Sequence, residues 1–216
     1  MATFPDTSIF NSLEVVDQRS EIGSIDASGK TYDAFLKQRW QFDLESIPLT
    51  TAQFQSIYPF LVKQNGASGV FTFQYPLNPI GTAADGYNYN SFTYYTVGAM
   101  TKGSTNYSTQ FIGSDSDSPD GGGVLTLHPH DFVKFANHSK IYKITTLNLI
   151  RMNDYSGGGG SGAINIYPAL VEDVPSGTTF EIYRPNFTFR LLDETSNFEI
   201  DIDGYYTITM SVLEDY

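Results

Sequence analysis

A mainly β fold, a sandwich or barrel of short strands with one short helix, is predicted by three features of the sequence. Aromatic residues are abundant, with 15 Tyr and 16 Phe, and aromatic and β-branched side chains suit a pleated, half-buried surface. Segments of alternating polarity recur, separated by Gly, Pro, Asn and Asp turn signals. One stretch alone, Thr50 to Gln64, carries a convincing helical period. No repeat of fixed length is visible.

In chain order, residues 1–11 read as an irregular arm, and Leu13 to Asp17 begins an extended segment. Ser20 to Lys30 contains Gly23, Ser28 and Gly29 and predicts turns. Tyr32 to Leu44 predicts a half-buried strand: Trp40, Phe42 and Leu44 share one face, with Gln41 and Asp43 opposite. Thr50 and Gln53 have capping-box spacing. Phe54, Ile57, Tyr58 and Leu61 then fall on one helical face. Pro59 conflicts with that helix, because it lacks an N–H and crowds the preceding turn at a cost of roughly 3 kcal/mol; a kink or two helical pieces is expected. Asn65-Gly66 offers a left-handed exit. Gly69 to Tyr75 returns as a strand, with Phe71 and Phe73 on one face.

Gly81 to Asn90 reads as a loop or linker. Strands are expected at Phe92–Lys102, Tyr107–Ile112, Val124–Leu127, Asp131–Phe135, Lys140–Leu149, Ala163–Tyr167 and Thr178–Tyr183. The Gly113–Gly123 stretch reads as an acidic loop and Ser156–Gly162 as a flexible glycine run. Phe187–Leu192, Phe198–Ile202 and Tyr205–Leu213 alternate cleanly, with Asp203-Gly204 as a hairpin turn.

The charge balance narrows the function classes. Twelve Lys and Arg stand against 24 Asp and Glu, a formal net charge of −12. Such a surface does not grip nucleic acid through counterion release. The absence of Cys removes thiol catalysis and zinc–thiolate sites. No signal peptide is visible, and no apolar run approaches the ~18 residues of a transmembrane helix.

Each candidate chemical site has an ordinary alternative. His128, His130 and Asp131 approach a metal-ligand spacing, but Pro129 interrupts the strand that would align them, and the one other histidine is His138; a polar turn is the ordinary reading. Asp115, Asp117 and Asp120-Gly121 resemble a calcium loop whose third acid comes one place late, with Thr126 where a bidentate Glu belongs. Glu199, Asp201 and Asp203 could be paired carboxylates for glycoside hydrolysis, yet alternation on one strand face points them to solvent in parallel. No nucleophile elbow, phosphate loop or zinc-protease motif occurs. No catalytic residue, metal or cofactor is therefore expected. Tyr87, Tyr89, Tyr94 and Tyr95 could form a sugar-binding loop or a subunit interface.

Two groups of short words carry a resemblance. The first is Arg39-Trp40, then Tyr58-Pro59-Phe60-Leu61-Val62-Lys63-Gln64-Asn65-Gly66, then Gly69-Val70-Phe71-Thr72-Phe73-Gln74-Tyr75-Pro76. The second is Val97-Gly98-Ala99-Met100, Leu127 to Phe135, Lys140-Ile141-Tyr142-Lys143-Ile144 and Ile164-Asn165-Ile166-Tyr167-Pro168-Ala169-Leu170. In this order they resemble minor tail proteins of tailed bacteriophages, of the distal-tail or baseplate-hub family. A Gly-Asp turn expected before Phe132 is His130-Asp131 here. The resemblance implies a β-sandwich ring domain, residues 1–90 and 184–216, with a small β-barrel-like domain inserted at 91–183. It implies a virion tail component, assembled in the host cytoplasm as a ring, commonly a hexamer, between tail tube and tail tip. Its partners would be further copies of itself, the tail tube protein and tail hub or fibre proteins. DNA would pass the lumen without specific binding, repelled by a negative wall, and no membrane would be engaged.

In that setting Trp40, Phe42, Phe54, Ile57, Leu61, Phe71 and Phe73 are core or interface candidates, and the strand–helix–strand unit is expected to present an edge to the next subunit. The alternative reading is a carbohydrate-binding β-sandwich of a tail fibre or host-attachment protein, and a weaker one is a glycan-cleaving tail enzyme acting through Asp201.

Overall fold

The computed structural model describes residues 1–25, 31–77, 93–112, 124–125, 129–146, 150–152, 159–182, 184–192 and 197–216. The chain is mainly β with one α-helix, and it divides into two compact units. The first comprises Met1–Phe73 and Thr188–Asp215; the second comprises Gln74–Phe187 and Tyr216.

The first unit is built on a mixed sheet. Its strands are β1 (Ala2–Thr3), β2 (Phe10–Ile25), β3 (Thr31–Ser46), β4 (Val70–Gln74), β13 (Asn186–Leu191), β14 (Asn197–Ile200) and β15 (Tyr206–Glu214). They lie in the order β1-β4-β13-β15-β3-β2, and β14 pairs with β15. The first pairing, β1 with β4, is parallel. The face carrying Trp40, Phe42 and Leu44 is buried, as period-two alternation predicts. Across the sheet, Phe42 lies opposite Val212 and Leu44 opposite Met210. The ring of Phe42 meets Phe189 at 4.9 Å and Phe73 at 6.5 Å between centroids. Edge-to-face pairs of this kind add to the area they bury.

Helix α1 (Thr51–Lys63) covers this face. Its start is the expected capping box: Thr50 Oγ1 accepts from the Gln53 backbone N–H, and Gln53 Oε1 accepts from the Thr50 N–H. Ile57 and Leu61 are buried, and Phe54 and Tyr58 are half-buried. Of the expected kink or two helical pieces, the second does not occur: Pro59 lies inside a single helix. Its neighbour Leu61 is buried and Phe60 packs edge-on against Phe4 and Phe71, so tertiary contacts offset the proline penalty. Asn65 then turns left-handed at φ 54°, as Asn-Gly predicts.

Three further expectations change. Residues 1–11 are no irregular arm: β1 pairs with β4, the Phe4 N–H donates to the Thr72 carbonyl at 2.8 Å, and Phe4 and Ile9 are buried. Ser20 to Ile25 is strand rather than turn, because it finds pairing partners in β3 out to Thr31. The edge expected on the strand–helix–strand unit is occupied within the chain, since β4 has β1 on one side and β13 on the other.

The second unit is an antiparallel sheet of eight strands. They are β5 (Thr93–Thr96), β6 (Asn106–Ile112), β7 (Val124–Leu125), β8 (Phe132–Phe135), β9 (Ile141–Thr146), β10 (Ile150–Met152), β11 (Gly159–Tyr167) and β12 (Thr179–Glu181). Their order is β6-β5-β12-β8-β9-β11-β10-β7, and β6 also pairs with β11. The sheet therefore curls round in a barrel-like way, with a core that includes Tyr107, Phe135, Tyr142, Ile144, Ile164 and Phe180. Of the expected flexible glycine run, Ser156 to Gly158 lie outside the described residues; from Gly159 to Gly162 the backbone is strand, paired with β6 and in part with β10. Close pairing on both sides orders glycines that composition alone leaves loose.

Tyr107 is 2% exposed, and its hydroxyl has no hydrogen-bond partner among the described residues. Burial raises its pKa above the ordinary tyrosine value. A buried, unsatisfied hydroxyl costs about 1–3 kcal/mol. Tyr107→Phe keeps the ring contacts with Phe135 and Phe180 and is expected to hold or raise stability, by about 1 kcal/mol. Urea unfolding checks this; a clear loss of stability would show that the hydroxyl matters to the fold.

Candidate functional site

The residues with chemical promise do not converge. His130 is exposed in a turn at φ 85°. Its N–H donates to the Ile144 carbonyl at 2.9 Å, and the Ile144 N–H donates to the Asp131 carbonyl at 2.8 Å. His130-Asp131 thus joins the start of β8 to β9. Asp131 is buried. The Tyr75 hydroxyl is pushed above the usual tyrosine value by burial first and by the Asp131 charge second. His138 is half-buried with Nε2 3.4 Å from the Tyr142 hydroxyl, and burial is the largest influence lowering its pKa. Among the described residues no group of three or more His, Asp or Glu could hold a metal ion. His128, Asp115, Asp117, Asp120 and Gly121 lie outside the described residues.

The carboxylate series also falls apart. Glu199 lies on β14, but Asp201 and Asp203 belong to the turn that follows it, and all three are exposed. Asp201 Oδ1 accepts from the Ile202 N–H at 2.6 Å, and the Gly204 N–H donates to the Asp201 carbonyl at 2.9 Å. Asp201 therefore shapes the turn. Tyr87 and Tyr89 lie outside the described residues. Tyr94 and Tyr95 are on β5, paired with β6 and β12, and Tyr95 is half-buried.

Of the packing candidates, Trp40, Phe42, Ile57, Leu61, Phe71 and Phe73 are buried inside the first unit, and Phe54 is half-buried. Two other features of that unit lie beyond this core.

The first is a ribbon. The register of β2 with β3 runs to Ile25 opposite Thr31, whereas β15 pairs with β3 only from Glu45 to Gln41. The next backbone donor, the Trp40 N–H, is taken by the buried carboxylate of Glu214, at 3.1 Å. There the third strand ends. From Asp17 opposite Trp40 onward, β2 and β3 have only each other as strand partners among the described residues. At ~3.3 Å per residue, Asp17 to Ile25 reaches about 30 Å. A bulge where Ser20–Glu21 faces Lys37–Phe35 increases its twist. A two-stranded ribbon is at best marginally stable in water.

The second is the β14–β15 hairpin. Phe198 and Ile200 lie opposite Ile208 and Tyr206, on the face that packs against α1. Phe54, Tyr58, Phe198 and Tyr206 form one ring cluster; Phe54 stacks on Tyr206 at 4.2 Å and meets Phe198 at 5.2 Å. Beyond the helix this apolar face continues uncovered: Phe198 is 41%, Tyr205 46%, Ile200 60% and Ile202 97% exposed. The outer edge of β14 has no strand partner among the described residues. Contiguous exposed apolar groups with a polar rim mark interaction surfaces, and here the rim is Glu199, Asp201 and Asp203.

Neither feature was visible in the sequence. The ribbon hides because Gly23, which lies in β2, reads as a turn residue in sequence; Ser28 and Gly29 lie outside the described residues. The hairpin hides because alternation on Phe198–Ile202 says which residues share a face and not whether anything covers it. No protein-family model matches the chain, and no curated protein matches it in sequence.

Proposed function

We propose that the chain is a structural, non-enzymatic virion component: a distal-tail-like subunit that assembles into a ring between phage tail tube and tail tip. The observation that carries this reading is the β2–β3 ribbon, an arm of about 30 Å that extends beyond the end of β15 and is long enough to reach a neighbouring copy. The ordered resemblance to distal-tail proteins supplies the setting. The acidic balance suits a ring through which DNA passes without sticking. The mixed sheet would form the ring domain, and the barrel-like sheet would be the inserted one.

Cryo-electron microscopy of the tails that contain this protein tests the reading. A ring of this chain at the tube–tip junction is the expected result. Its absence from particles, or a position away from that junction, overturns the proposal.

A further inference from the structure

We infer that the β14–β15 hairpin docks a strand of a different protein, one in which apolar residues alternate with Lys or Arg, and that this strand adds to the outer edge of β14. The site serves a partner other than a further copy of this chain, whether or not the chain assembles as a ring.

The apolar surface is continuous and only partly covered. Phe198, Ile200, Ile202 and Tyr205 are exposed, Ile202 almost completely. Phe198 is seated against the rings of Phe54 and Tyr58, each at 5.2 Å, and those rings are themselves half-buried. Helix α1 thus closes one end of the surface and leaves the other to an incoming chain.

The backbone beside it suits an extended segment. Asn197 to Ile200 pair with Thr209 to Tyr206 of β15, and β14 has no second strand partner among the described residues. In an antiparallel pair every second residue directs its N–H and C=O away from its partner strand. An added strand satisfies those groups.

The period of β14 sets the side chains that such a strand must carry. Phe198 and Ile200 share the α1 face, so Glu199 between them lies on the other. Across neighbouring strands apolar residues pair favourably with each other, and acids pair favourably with bases. A strand along β14 therefore sets apolar residues beside Phe198 and Ile200 and a cation beside Glu199. Asp201 and Asp203, exposed in the turn, extend the acidic rim.

The surrounding elements supply almost no positive charge of their own. No Lys or Arg follows Arg190 in the chain. Tyr206 to Thr209 of β15 are uncharged, and β3 sets a further acid, Glu45, opposite Thr209. Helix α1 has one base, Lys63, in its last turn. A second copy fits poorly for the same reason: hairpin against hairpin sets acid against acid, in a chain of net charge −12. An anionic bilayer is repelled likewise.

The test measures fluorescence anisotropy with labelled peptides of about eight residues, the length of an ordinary strand. The first alternates Val with Lys. The second has Glu in place of Lys, and the third has Pro in place of two Val, which removes backbone donors but keeps the charge. Each is titrated with the wild type, an Ile200→Ser/Ile202→Ser variant and a Glu199→Gln/Asp203→Asn variant. Asp201 is left in place because it shapes the turn. Thermal melting of each protein is recorded alongside.

Saturable binding of the Val-Lys peptide to the wild type is expected, weakened about tenfold or more in each variant as two favourable contacts are lost. The Glu peptide is expected not to bind, and the Pro peptide to bind at least about tenfold more weakly than the first. No saturable binding of the Val-Lys peptide overturns the inference. So does equal affinity for the wild type and both variants, or a Pro peptide that binds as tightly, since charge alone would then suffice. If the Ile200→Ser/Ile202→Ser protein loses its cooperative melt, the Glu199→Gln/Asp203→Asn variant decides alone, because it removes no apolar packing. Sedimentation velocity and flotation with phosphatidylcholine vesicles check the other occupants. Self-association that Ile200→Ser/Ile202→Ser abolishes would give the face to a second copy, overturning this inference and leaving the ring reading standing. Vesicle binding that the same variant abolishes would give it to lipid and overturn the inference too.

Discussion

Phe42→Ala is expected to lower the unfolding free energy by about 3–5 kcal/mol, the usual range for removing a buried phenyl ring. Phe42 is wholly buried at the centre of the first sheet, with Phe189 at 4.9 Å and Phe73 at 6.5 Å and Val212 and Val15 in cross-strand register. These neighbours come from four other strands, and they cannot all move inward to fill one cavity. The loss is a transfer term plus a cavity term. Total stabilities are commonly only 5–15 kcal/mol, so a large share of the fold's margin is at stake. Guanidinium unfolding followed by Trp40 fluorescence reports on this site directly, since Trp40 is the single Trp and lies on the same strand face. An unchanged midpoint would remove Phe42 from the core.

Gly69→Ala is expected to be nearly as damaging, on the order of 3 kcal/mol, for a different reason. The backbone at Gly69 is extended, at φ −83°, so conformational freedom is not what glycine provides. The need is space. A Cβ there would lie 2.3 Å from the Gln64 carbonyl oxygen and 2.6 Å from the Gln64 Cα. Those are backbone atoms at the end of α1, where the Gln64 N–H bonds to the Leu61 carbonyl and the Gln64 side chain to the Phe60 carbonyl at 3.1 Å. Neither the helix end nor the strand start can shift alone. Thermal melting of Gly69→Ala beside Gly98→Ala makes the comparison, because nothing lies within 4 Å of a Cβ at Gly98. Equal melting temperatures would contradict the close approach.

What could be read in advance was local. The Thr50–Gln53 box, the Ile57/Leu61 stripe and the Asn65 exit depend on neighbours three or four places away, and each is present. The Trp40/Phe42/Leu44 face depends on alternation within one strand. The helix is not split at Pro59, because the local penalty acts together with the contacts of Phe60 and the burial of Leu61. The turn expectation failed over Ser20 to Ile25 because turn-forming residues were weighed without β3, whose pairing brings that stretch into strand; Asp26 to Lys30 lie outside the described residues. Glu214 shows the same limit: in sequence it is one more acid near the end of a strand, and only the fold sets its carboxylate against the Trp40 N–H.

By itself, then, the sequence determined the mainly β character, the one helix and its caps, and the inward faces of the strands, all consequences of backbone geometry and side-chain period within a few residues. The tertiary structure alone decided that β15 stops at Glu214 while β2 and β3 run on as a ribbon, and that the apolar face of β14 extends past the cover of α1. Where a strand loses its partner, and where an apolar face loses its cover, depends on how far a neighbour distant in sequence extends; no local period records that length.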